Sequence, residues 1–446
     1  MSIKFLENKS NLRDNLASDF YNGIKPACDF RIGTEIERIN VLKNNFEAVP
    51  YVIIEQFLDI FGTRYGWQKI KNENHILGLQ KDGHFVYLEP GSQIELSLAK
   101  TENIHNAADY IFDFNKKSSE IADFLGFYTL GYGIQPVSTF DKISIIPKER
   151  YELMTDYFVD KGNMAYVMMR ETAGAQVTLD YSSEDDAVSK LRLGMFIAPV
   201  VSAMFSNSPI HNGQKTSYKS FRAKSWLYTD DERCGFISNK LLNSHEIFAF
   251  DDYVETLLDV PMIFVMRENK AIQVNKTFRE YLKDGYEGLI ATIDDWHLHA
   301  NLFFPEVRLK GFLEFRNADA QRPDMALALM ALYKGIFYDE EAIRQAYSLF
   351  SDFSPFDFRR MRFLTPEYAL DTEIRDIKVL DIARELAVIA QNSLQRQSAL
   401  NKSGQDESVY LQVLQKFIAE GKTPADKLLE ICKEDIGKII NYTCIK

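Results

Sequence analysis

Residues 93–98 read Gln-Ile-Glu-Leu-Ser-Leu, with polar and apolar side chains alternating through the whole stretch. Residues 31–40, 175–180 and 308–316 alternate in the same way. Side chains two apart in a strand point to the same face, so each stretch predicts a β-strand with one apolar and one polar face. Taken alone, each stretch is better explained by an ordinary antiparallel sheet with one face in water.

The polar faces of these strands carry residue types that solvent-facing strands seldom use. Acidic residues are depleted in strands, yet carboxylate and amide side chains recur here on several of them. Such side chains are ligands for hard cations such as Mg²⁺, and carboxylates that converge without a cation repel one another. The sequence therefore predicts a set of metal ligands: Glu35, Glu37, Glu89, Gln93, Glu95, Gln176 and Glu314.

Cationic side chains accompany these acidic residues. Guanidinium groups bind carboxylate or phosphate oxygens through two parallel hydrogen bonds. Acidic metal ligands beside arginines are typical of phosphoryl transfer, in which the protein mainly positions groups and neutralises charge. The candidate anion-binding residues are Arg222, Arg233, Arg308, Lys310 and Arg316.

The composition is that of an acidic globular protein. The chain has 446 residues, 46% of them apolar, and its 52 basic and 64 acidic residues give a net charge of −12. This charge argues against a nucleic-acid partner, which requires a basic footprint. Four cysteines without C-x-x-C spacing argue against a disulfide scaffold or a structural zinc site. Residues 1–20 lack the apolar core of a signal peptide, and the apolar run 195–205 is too short to span a membrane. We therefore expect a cytoplasmic protein without membrane contact.

Strands and helices do not alternate along the chain as a parallel sheet would require, which predicts an α+β fold. Residues 77–88 are typical of a hairpin that turns at Lys81-Asp82-Gly83. Residues 191–205 have the composition of a buried helix. We predict a catalytic body over residues 1–375 and a helical C-terminal cap over residues 376–446, packed together as one compact unit.

At the residues singled out above, the sequence resembles a known family, the plant-type glutamate–cysteine ligases, which also occur in proteobacteria. The matching motifs follow the same order along the chain, over roughly residues 28–340. They include Ile-Gly-Thr-Glu-Ile-Glu at 32–37, Leu-Glu-Pro-Gly-Ser-Gln-Ile-Glu-Leu-Ser at 88–97, Pro-Lys-Glu-Arg-Tyr at 147–151, Gln-Val-Thr-Leu-Asp-Tyr-Ser-Ser-Glu at 176–184 and Phe-Pro-Glu-Val-Arg-Leu-Lys at 304–310.

The resemblance implies a glutamine-synthetase-like body, in which a curved antiparallel sheet forms a funnel surrounded by helices. It also implies an ATP- and Mg²⁺-dependent reaction that joins the side-chain carboxylate of glutamate to the amine of cysteine through γ-glutamyl phosphate, the first step of glutathione biosynthesis. Arg222, Arg233 and Thr178 would then contact the substrates. Arg308, Lys310 and Arg316 would face the phosphates or the charge of the transition state.

The sequence departs from the family pattern in two places. Residues 316–321 read Arg-Asn-Ala-Asp-Ala-Gln where the family usually has Arg-Gly-Ala-Asp-Gly-Gly, and Gln176-Val177-Thr178 replaces Gln-Val-Asn. Three alternatives therefore stay open: a ligase of the same fold with another amine acceptor, a non-catalytic regulator that binds nucleotide, and a metal-dependent phosphotransferase to a guanidino acceptor. A monomer or a homodimer is expected.

Overall fold

A computed structural model describes residues 15–268, 270–432 and 435–446. The strands are β1 Ile32–Leu42, β2 Gln68–Asn72, β3 His75–Lys81, β4 His84–Leu88, β5 Ile94–Ser97, β6 Phe127–Leu130, β7 Gly174–Leu179, β8 Ile210–His211, β9 Gln214–Lys215, β10 Cys234–Gly235, β11 Phe264–Arg267, β12 Lys270–Gln273, β13 Phe304–Pro305, β14 Val307–Leu309, β15 Leu313–Asp319, β16 Glu373–Ile374 and β17 Ile377–Lys378.

The helices are α1 Ser18–Asn22, α2 Tyr51–Tyr65, α3 Ile104–Phe124, α4 Glu149–Tyr157, α5 Ala165–Glu171, α6 Glu184–Met204, α7 Phe221–Leu227, α8 Asn239–Leu242, α9 Phe250–Asp259, α10 Phe278–Asp284, α11 Ile293–Asn301, α12 Pro323–Phe337, α13 Glu340–Ser348, α14 Pro355–Tyr368, α15 Val379–Gln397, α16 Gln412–Ala419, α17 Pro424–Cys432 and α18 Ile436–Thr443.

One large antiparallel sheet organises the molecule. Its strands lie in the order β14-β15-β7-β1-β5-β4-β3-β2, and β6 pairs with the second half of the long strand β1. The apolar faces of these strands pack against helices, and residues such as Ile36, Val177 and Phe315 are completely buried there. The predicted α+β fold with an antiparallel sheet is confirmed. The residue alternation already indicated it, because period-two patterns suit a sheet with one polar face.

The prediction of a single strand over residues 308–316 is wrong. The structure divides this stretch into β14 and β15, which form a hairpin through Lys310-Gly311-Phe312 and place Arg308 directly opposite Glu314. Alternation alone cannot distinguish one strand from two that are joined by a short turn, because a register that pairs Arg308 with Glu314 keeps both side chains on one face.

The hairpin predicted over residues 77–88 is present as β3 and β4, with Lys81 paired to His84. Its two turn residues have positive φ angles, 51° at Asp82 and 79° at Gly83. Two-residue turns of this kind match the twist of the flanking strands, and Asp-Gly tolerates the left-handed backbone that they require.

Helix α6 is the central core helix, and it contains nearly all of the stretch 191–205 that was predicted to be a buried helix. The Ser183 side chain caps it by accepting a hydrogen bond from the Asp186 amide. Among the described residues, α6 is the one helix whose length and apolarity would suffice to cross a membrane. However, 83% of its most apolar window is buried inside the protein, so α6 is a core helix here.

The C-terminal helices pack closely on the body. Residues of α15 and α16 belong to the same hydrophobic core as α12, and the Ile445 amide donates a hydrogen bond to the Thr129 carbonyl beside β6. The division at residue 375 remains a prediction. The polar N-terminal segment that entered the localisation prediction lies largely outside the described residues, since these begin at residue 15.

Candidate active site

The register of the sheet brings the predicted polar residues onto one face. Glu37 of β1 lies opposite Glu95 of β5, and Glu35 lies opposite Gln176 of β7. Residues directly opposite each other in an antiparallel pair have Cβ atoms about 4.5–5.5 Å apart. Four neighbouring strands, β5, β1, β7 and β15, therefore present their polar side chains together.

A cavity of about 290 Å³ lies over this face. Its walls include nine of the thirteen side chains that the sequence predicted for the site: Glu35, Glu37, Glu89, Gln93, Glu95, Gln176, Arg222, Arg308 and Arg316. These residues come from segments up to 281 positions apart in the chain, from Glu35 to Arg316, and the sheet together with helix α7 assembles them.

The end of the cavity near β4 and β5 is acidic. Burial and the nearby Glu89 carboxylate raise the pKa of Glu37 to about 7. Burial and the carboxylates of Glu35, Glu89 and Glu37 raise the pKa of Glu95 well above its ordinary value. The ionised forms are unfavourable because these buried acidic groups face one another without enough positive charge.

This acidic end fits a hydrated divalent cation bound together with phosphates. Among the described residues, no group of three His, Cys, Asp or Glu side chains is arranged to enclose a metal ion. Mg²⁺ does not need such a cage, since it usually binds one or two carboxylates, several waters and substrate phosphates. The buried Oε1 of Gln93 accepts no hydrogen bond from the described part of the chain, and this orphaned oxygen fits a cation or its water.

The loop between β4 and β5 positions two of these groups. The Glu89 amide donates to the Gln93 carbonyl at 3.0 Å, and the Gln93 side chain donates to the Thr172 carbonyl at 2.8 Å. These bonds hold Glu89 and Gln93 side by side at the end of the hairpin, so both side chains face the cavity.

The opposite end of the cavity is cationic. Glu314 accepts hydrogen bonds from Arg308 Nε at 2.7 Å, Lys310 Nζ at 3.0 Å and Arg316 Nη1 at 3.0 Å. Burial alone would raise the pKa of Glu314, but these three cations outweigh it and hold the pKa well below its usual range. Burial alone would lower the pKa of Arg316. The hydrogen bond to Glu314 and the nearby carboxylates of Glu314, Glu35 and Glu37 outweigh this effect and raise the pKa. This end therefore carries fixed positive charge.

Arg222 lies between the two ends. Its Nη2 donates to the Arg316 carbonyl at 3.2 Å, whereas its buried Nε finds no partner in the part of the chain that is described. A Cβ atom at Gly174 would lie 2.5 Å from Nη2, so only glycine leaves room for the guanidinium. A buried donor without a partner is costly, so the Arg222 guanidinium is suited to a ligand that supplies a hydrogen-bond acceptor, such as a carboxylate.

Asp319 holds the helix that carries Arg222. Its carboxylate accepts hydrogen bonds from the Asn207 amide, Ser208 Oγ and Ser220 Oγ at 2.6–2.8 Å. Ser220 in turn caps α7 by accepting from the Ala223 amide. Asp319 could not be recognised as a site residue from the sequence, because its role depends on three loop residues that lie about 100 positions away.

Four predicted site residues are not part of the cavity wall. Glu314 is the counter-ion of the three cations, so a metal ion on Glu314 would have to displace at least one of them. Lys310 bonds to Glu314, and Thr178 pairs across the sheet with Gly33 and Glu314. The structure does not bring Lys310, Thr178 and Glu314 to the cavity wall, and the direct roles with phosphate, substrate and metal that the sequence assigned to them stay predictions.

Arg233, which was predicted to bind substrate, also lies away from the cavity wall. Its guanidinium is fully buried and forms an ion pair with Asp230, with Nε to Oδ2 at 2.8 Å. It also donates to the Leu302 and Pro261 carbonyls and to the Tyr157 hydroxyl at 2.6–2.7 Å. Every nitrogen therefore has a partner within the protein, and these contacts give no support to the predicted substrate-binding role of Arg233.

Several residues that sequence analysis did not assign to the site line the cavity. They include Arg150, Tyr151, Trp226, Phe304 and the methionines Met154, Met168 and Met169. The motif at residues 147–151 was the available signal for Arg150 and Tyr151. The methionines gave no signal, because buried methionines are ordinary core residues.

An acidic end and a cationic end on one face of an antiparallel sheet define an enzyme suited to nucleotide phosphates. The comparison with known proteins is more specific. The sequence profile of glutamate–cysteine ligase family 2 matches residues 31–443. The chain belongs to this family, which confirms the resemblance and the prediction of an enzyme of the glutamate–cysteine ligase kind.

The relatives include plant proteins. Glutamate–cysteine ligase B, chloroplastic, of Oryza sativa subsp. japonica is 34% identical over 423 residues, covering 94% of this chain and 84% of its own. Glutamate–cysteine ligase, chloroplastic, of Arabidopsis thaliana is 33% identical over 433 residues, covering 96% and 81%. Both are named chloroplastic, which contradicts the predicted cytoplasmic localisation. That prediction rested on the absence of a secretory signal, which does not address other destinations.

Among solved structures, glutamate–cysteine ligase from Francisella tularensis in complex with AMP is similar. It aligns with a TM-score of 0.58 at 12% identity, over 94% of this chain and 88% of its own. At this identity the similarity concerns the fold, and the glutamine-synthetase-like fold class is confirmed.

Proposed function

We propose that the protein joins the side-chain carboxylate of glutamate to the amine of cysteine with conversion of ATP to ADP and phosphate, the first step of glutathione biosynthesis. The observation that carries the proposal is the cavity that unites nine predicted site residues. The names of the plant relatives, which cover most of this chain, support the choice of substrates.

In the first step, an oxygen of the glutamate γ-carboxylate attacks the γ-phosphorus of ATP, and the bond to the β-phosphate oxygen breaks. The products are ADP and γ-glutamyl phosphate. Arg316 and Arg308, held by Glu314, neutralise the charge that moves between the phosphates. Arg222 binds a substrate carboxylate and fixes its orientation, which lowers the entropic part of the barrier.

In the second step, the amine of cysteine attacks the γ-carbonyl carbon, and the bond to the phosphate oxygen breaks. The amine loses a proton and inorganic phosphate leaves. The apolar wall formed by Met154, Met168, Met169 and Phe264 excludes water from this intermediate, which protects it from hydrolysis.

The residues that would hold Mg²⁺ are Glu37, Glu89, Glu95 and Gln93, with Glu35 and Gln176 beside them. When bound there, the ion would neutralise phosphate oxygens as a Lewis acid. The raised pKa values of Glu37 and Glu95 support this assignment, because a divalent cation would favour their ionised forms.

The proposal is tested by ADP release from purified protein with ATP, Mg²⁺, glutamate and each of the twenty amino acids in turn. We expect cysteine to be the preferred acceptor, and hydroxylamine to trap γ-glutamyl phosphate as a hydroxamate. Preference for another amine would favour a related ligase. ATP binding without turnover would favour a regulator, and turnover without a trapped hydroxamate would favour a phosphotransferase.

A further inference from the structure

A small internal cavity lies on the face of β1 opposite the active site, and we call it the rear cavity. Its volume is about 10 Å³, and its wall combines residues of β1, β5, β6, α2 and α3 with Ile445. Arg38 belongs to this wall because it follows Glu37, and successive side chains of a strand point to opposite faces. A cavity of this volume holds one water molecule or one monatomic ion, so it is too small for a nucleotide, an amino acid or phosphate.

The Arg38 guanidinium brings a buried positive charge to the rear cavity. Arg38 is only 4% exposed. Its Nη1 donates to the Gln321 carbonyl at 2.9 Å and lies 3.5 Å from the Glu37 carbonyl, whereas Nε and Nη2 bond to nothing in the described part of the chain. No described carboxylate forms an ion pair with Arg38. A buried charge without a counter-ion is costly, so this cavity favours an occupant that carries negative charge.

A second hydrogen-bond donor at the rear cavity also has no partner. Asn115 of α3 lines the cavity and is 3% exposed, and its buried Nδ2 makes no hydrogen bond to any described residue. Buried polar atoms without a partner are rare in folded proteins. Two donors from separate elements therefore meet at a cavity whose described wall contains no acidic side chain.

The charge and the volume together select the occupant. A water molecule could accept hydrogen bonds from these donors, but it would leave the charge of Arg38 uncompensated. A cation would be repelled by the guanidinium. A monatomic anion accepts several charge-assisted hydrogen bonds and neutralises the charge at the same time. Chloride is the monovalent anion of this size in ordinary physiological solutions.

We propose that the rear cavity binds one chloride ion, held by the guanidinium of Arg38 and by Nδ2 of Asn115. The ion neutralises Arg38 and joins β1 to α3 behind the sheet. Because β1 also carries Glu35 and Glu37, the ion stabilises the strand that holds part of the candidate metal site. This inference is independent of the proposed function, since the binding of chloride is measured without substrates.

The test compares thermal unfolding of the ligand-free protein in sodium chloride and in sodium gluconate at equal ionic strength. Gluconate is too large for the cavity. Chloride at about ten times its dissociation constant should raise the folding equilibrium constant about elevenfold, which corresponds to a rise of roughly 1–2 °C in the melting temperature of a chain of this length. Crystals soaked in sodium bromide should show an anomalous scattering peak beside Arg38.

Two variants test the site itself. Asn115→Asp places a carboxylate in the cavity with little change in shape, so the melting temperature should no longer depend on chloride and the bromide peak should vanish. Arg38→Met removes the charge and should also abolish the chloride response. Arg384→Met is the matched control, because Arg384 is an exposed residue of α15, and it should respond to chloride as the wild type does.

Equal melting temperatures of the wild type in chloride and gluconate would overturn the inference, as would electron density for a water molecule alone. A bromide peak without a chloride response would mean binding at crystal concentration only and would also overturn it. A chloride response that persists in Asn115→Asp would reveal a nonspecific salt effect and refute the site. If Arg38→Met does not fold, Asn115→Asp decides the question, since it retains Arg38.

Discussion

Replacement of Glu37 by Gln should increase the stability of the ligand-free protein while it abolishes most of the activity. Glu37 lies among buried carboxylates, and its pKa is raised from 4.5 to about 7. The unfolded chain releases this proton near pH 4.5, but the folded chain retains it up to about pH 7. Folding therefore becomes less favourable as the pH rises from 4.5 to 7, and the loss is constant above that range.

The size of the effect follows from this shift. Each pKa unit corresponds to about 1.4 kcal/mol, so the full shift would correspond to about 3 kcal/mol at pH 7.5. Water entering the open cavity reduces this value, and we expect Glu37→Gln to raise the free energy of unfolding by about 1–3 kcal/mol. Glu37 Oε2 accepts a hydrogen bond from the Gly174 amide at 2.5 Å, and the side-chain oxygen of a glutamine can still accept this bond.

The activity should change in the opposite direction. Without Glu37, the acidic end would hold Mg²⁺ less well against the transferring phosphate, and loss of one such electrostatic contact lowers kcat by about 10²- to 10³-fold. Urea denaturation of the ligand-free protein between pH 4.5 and 8, and ADP release with saturating substrates, measure the two effects. Mg²⁺ with a non-hydrolysable ATP analogue should stabilise the wild type more than the variant. Glu385→Gln, an exposed position on α15, is the control.

The reasoning is refuted if Glu37→Gln lowers the stability at pH 7.5 or retains turnover within about threefold of the wild type. The first result would mean that the carboxylate supports the fold. The second would mean that the acidic end of the cavity does not take part in the reaction.

Three further predictions follow from other parts of the structure. Arg233→Met should lower the free energy of unfolding by about 3–5 kcal/mol, because the buried Asp230 loses its partner. An unchanged urea midpoint together with a raised KM for glutamate would contradict this and would show that Arg233 binds substrate. Burial lowers the pKa of His299 to about 4 in the folded protein. As the pH drops from 6.5 to 4, the imidazole becomes protonated in the unfolded chain but not yet in the folded one, so the free energy of unfolding falls by up to about 3 kcal/mol. His299→Gln should remove this part of the pH dependence, and an unchanged pH–stability curve would contradict it. Arg222→Lys should raise the KM for an amino-acid substrate about tenfold or more, since lysine lacks the guanidinium fork; steady-state kinetics with equal KM values would exclude the contact.

Much of the site could be predicted from local patterns. Alternation with period two places Glu35 and Glu37 on one face of β1 whatever the partner strand is. The choice of Glu and Gln at those positions indicates a ligand set. Asp82-Gly83 likewise specifies its turn from two residues, because few residue types tolerate the required backbone.

Arg233 and Arg222 show what local sequence patterns cannot predict, namely the contacts of a buried guanidinium group. Both are arginines in the same polar stretch of sequence, and both were expected to bind substrate. Arg233 is surrounded by acceptors from Asp230, Leu302 and Pro261, whereas Arg222 has a buried nitrogen that finds no partner among the residues the structure describes. Which acceptors surround a guanidinium depends on segments that are distant in the chain, and no local pattern contains that information.

The sequence by itself determined the alternating strands, the residues on their polar faces, and the family to which the chain belongs. Only the tertiary structure decided that residues 308–316 form a hairpin, that Glu314 binds three cations, and that every guanidinium nitrogen of Arg233 has a partner within the protein. The physical reason is the distance along the chain between the residues that determine each property. The face on which a side chain lies follows from the backbone geometry of its own strand, whereas its contacts and charge environment depend on pairing and packing between remote segments.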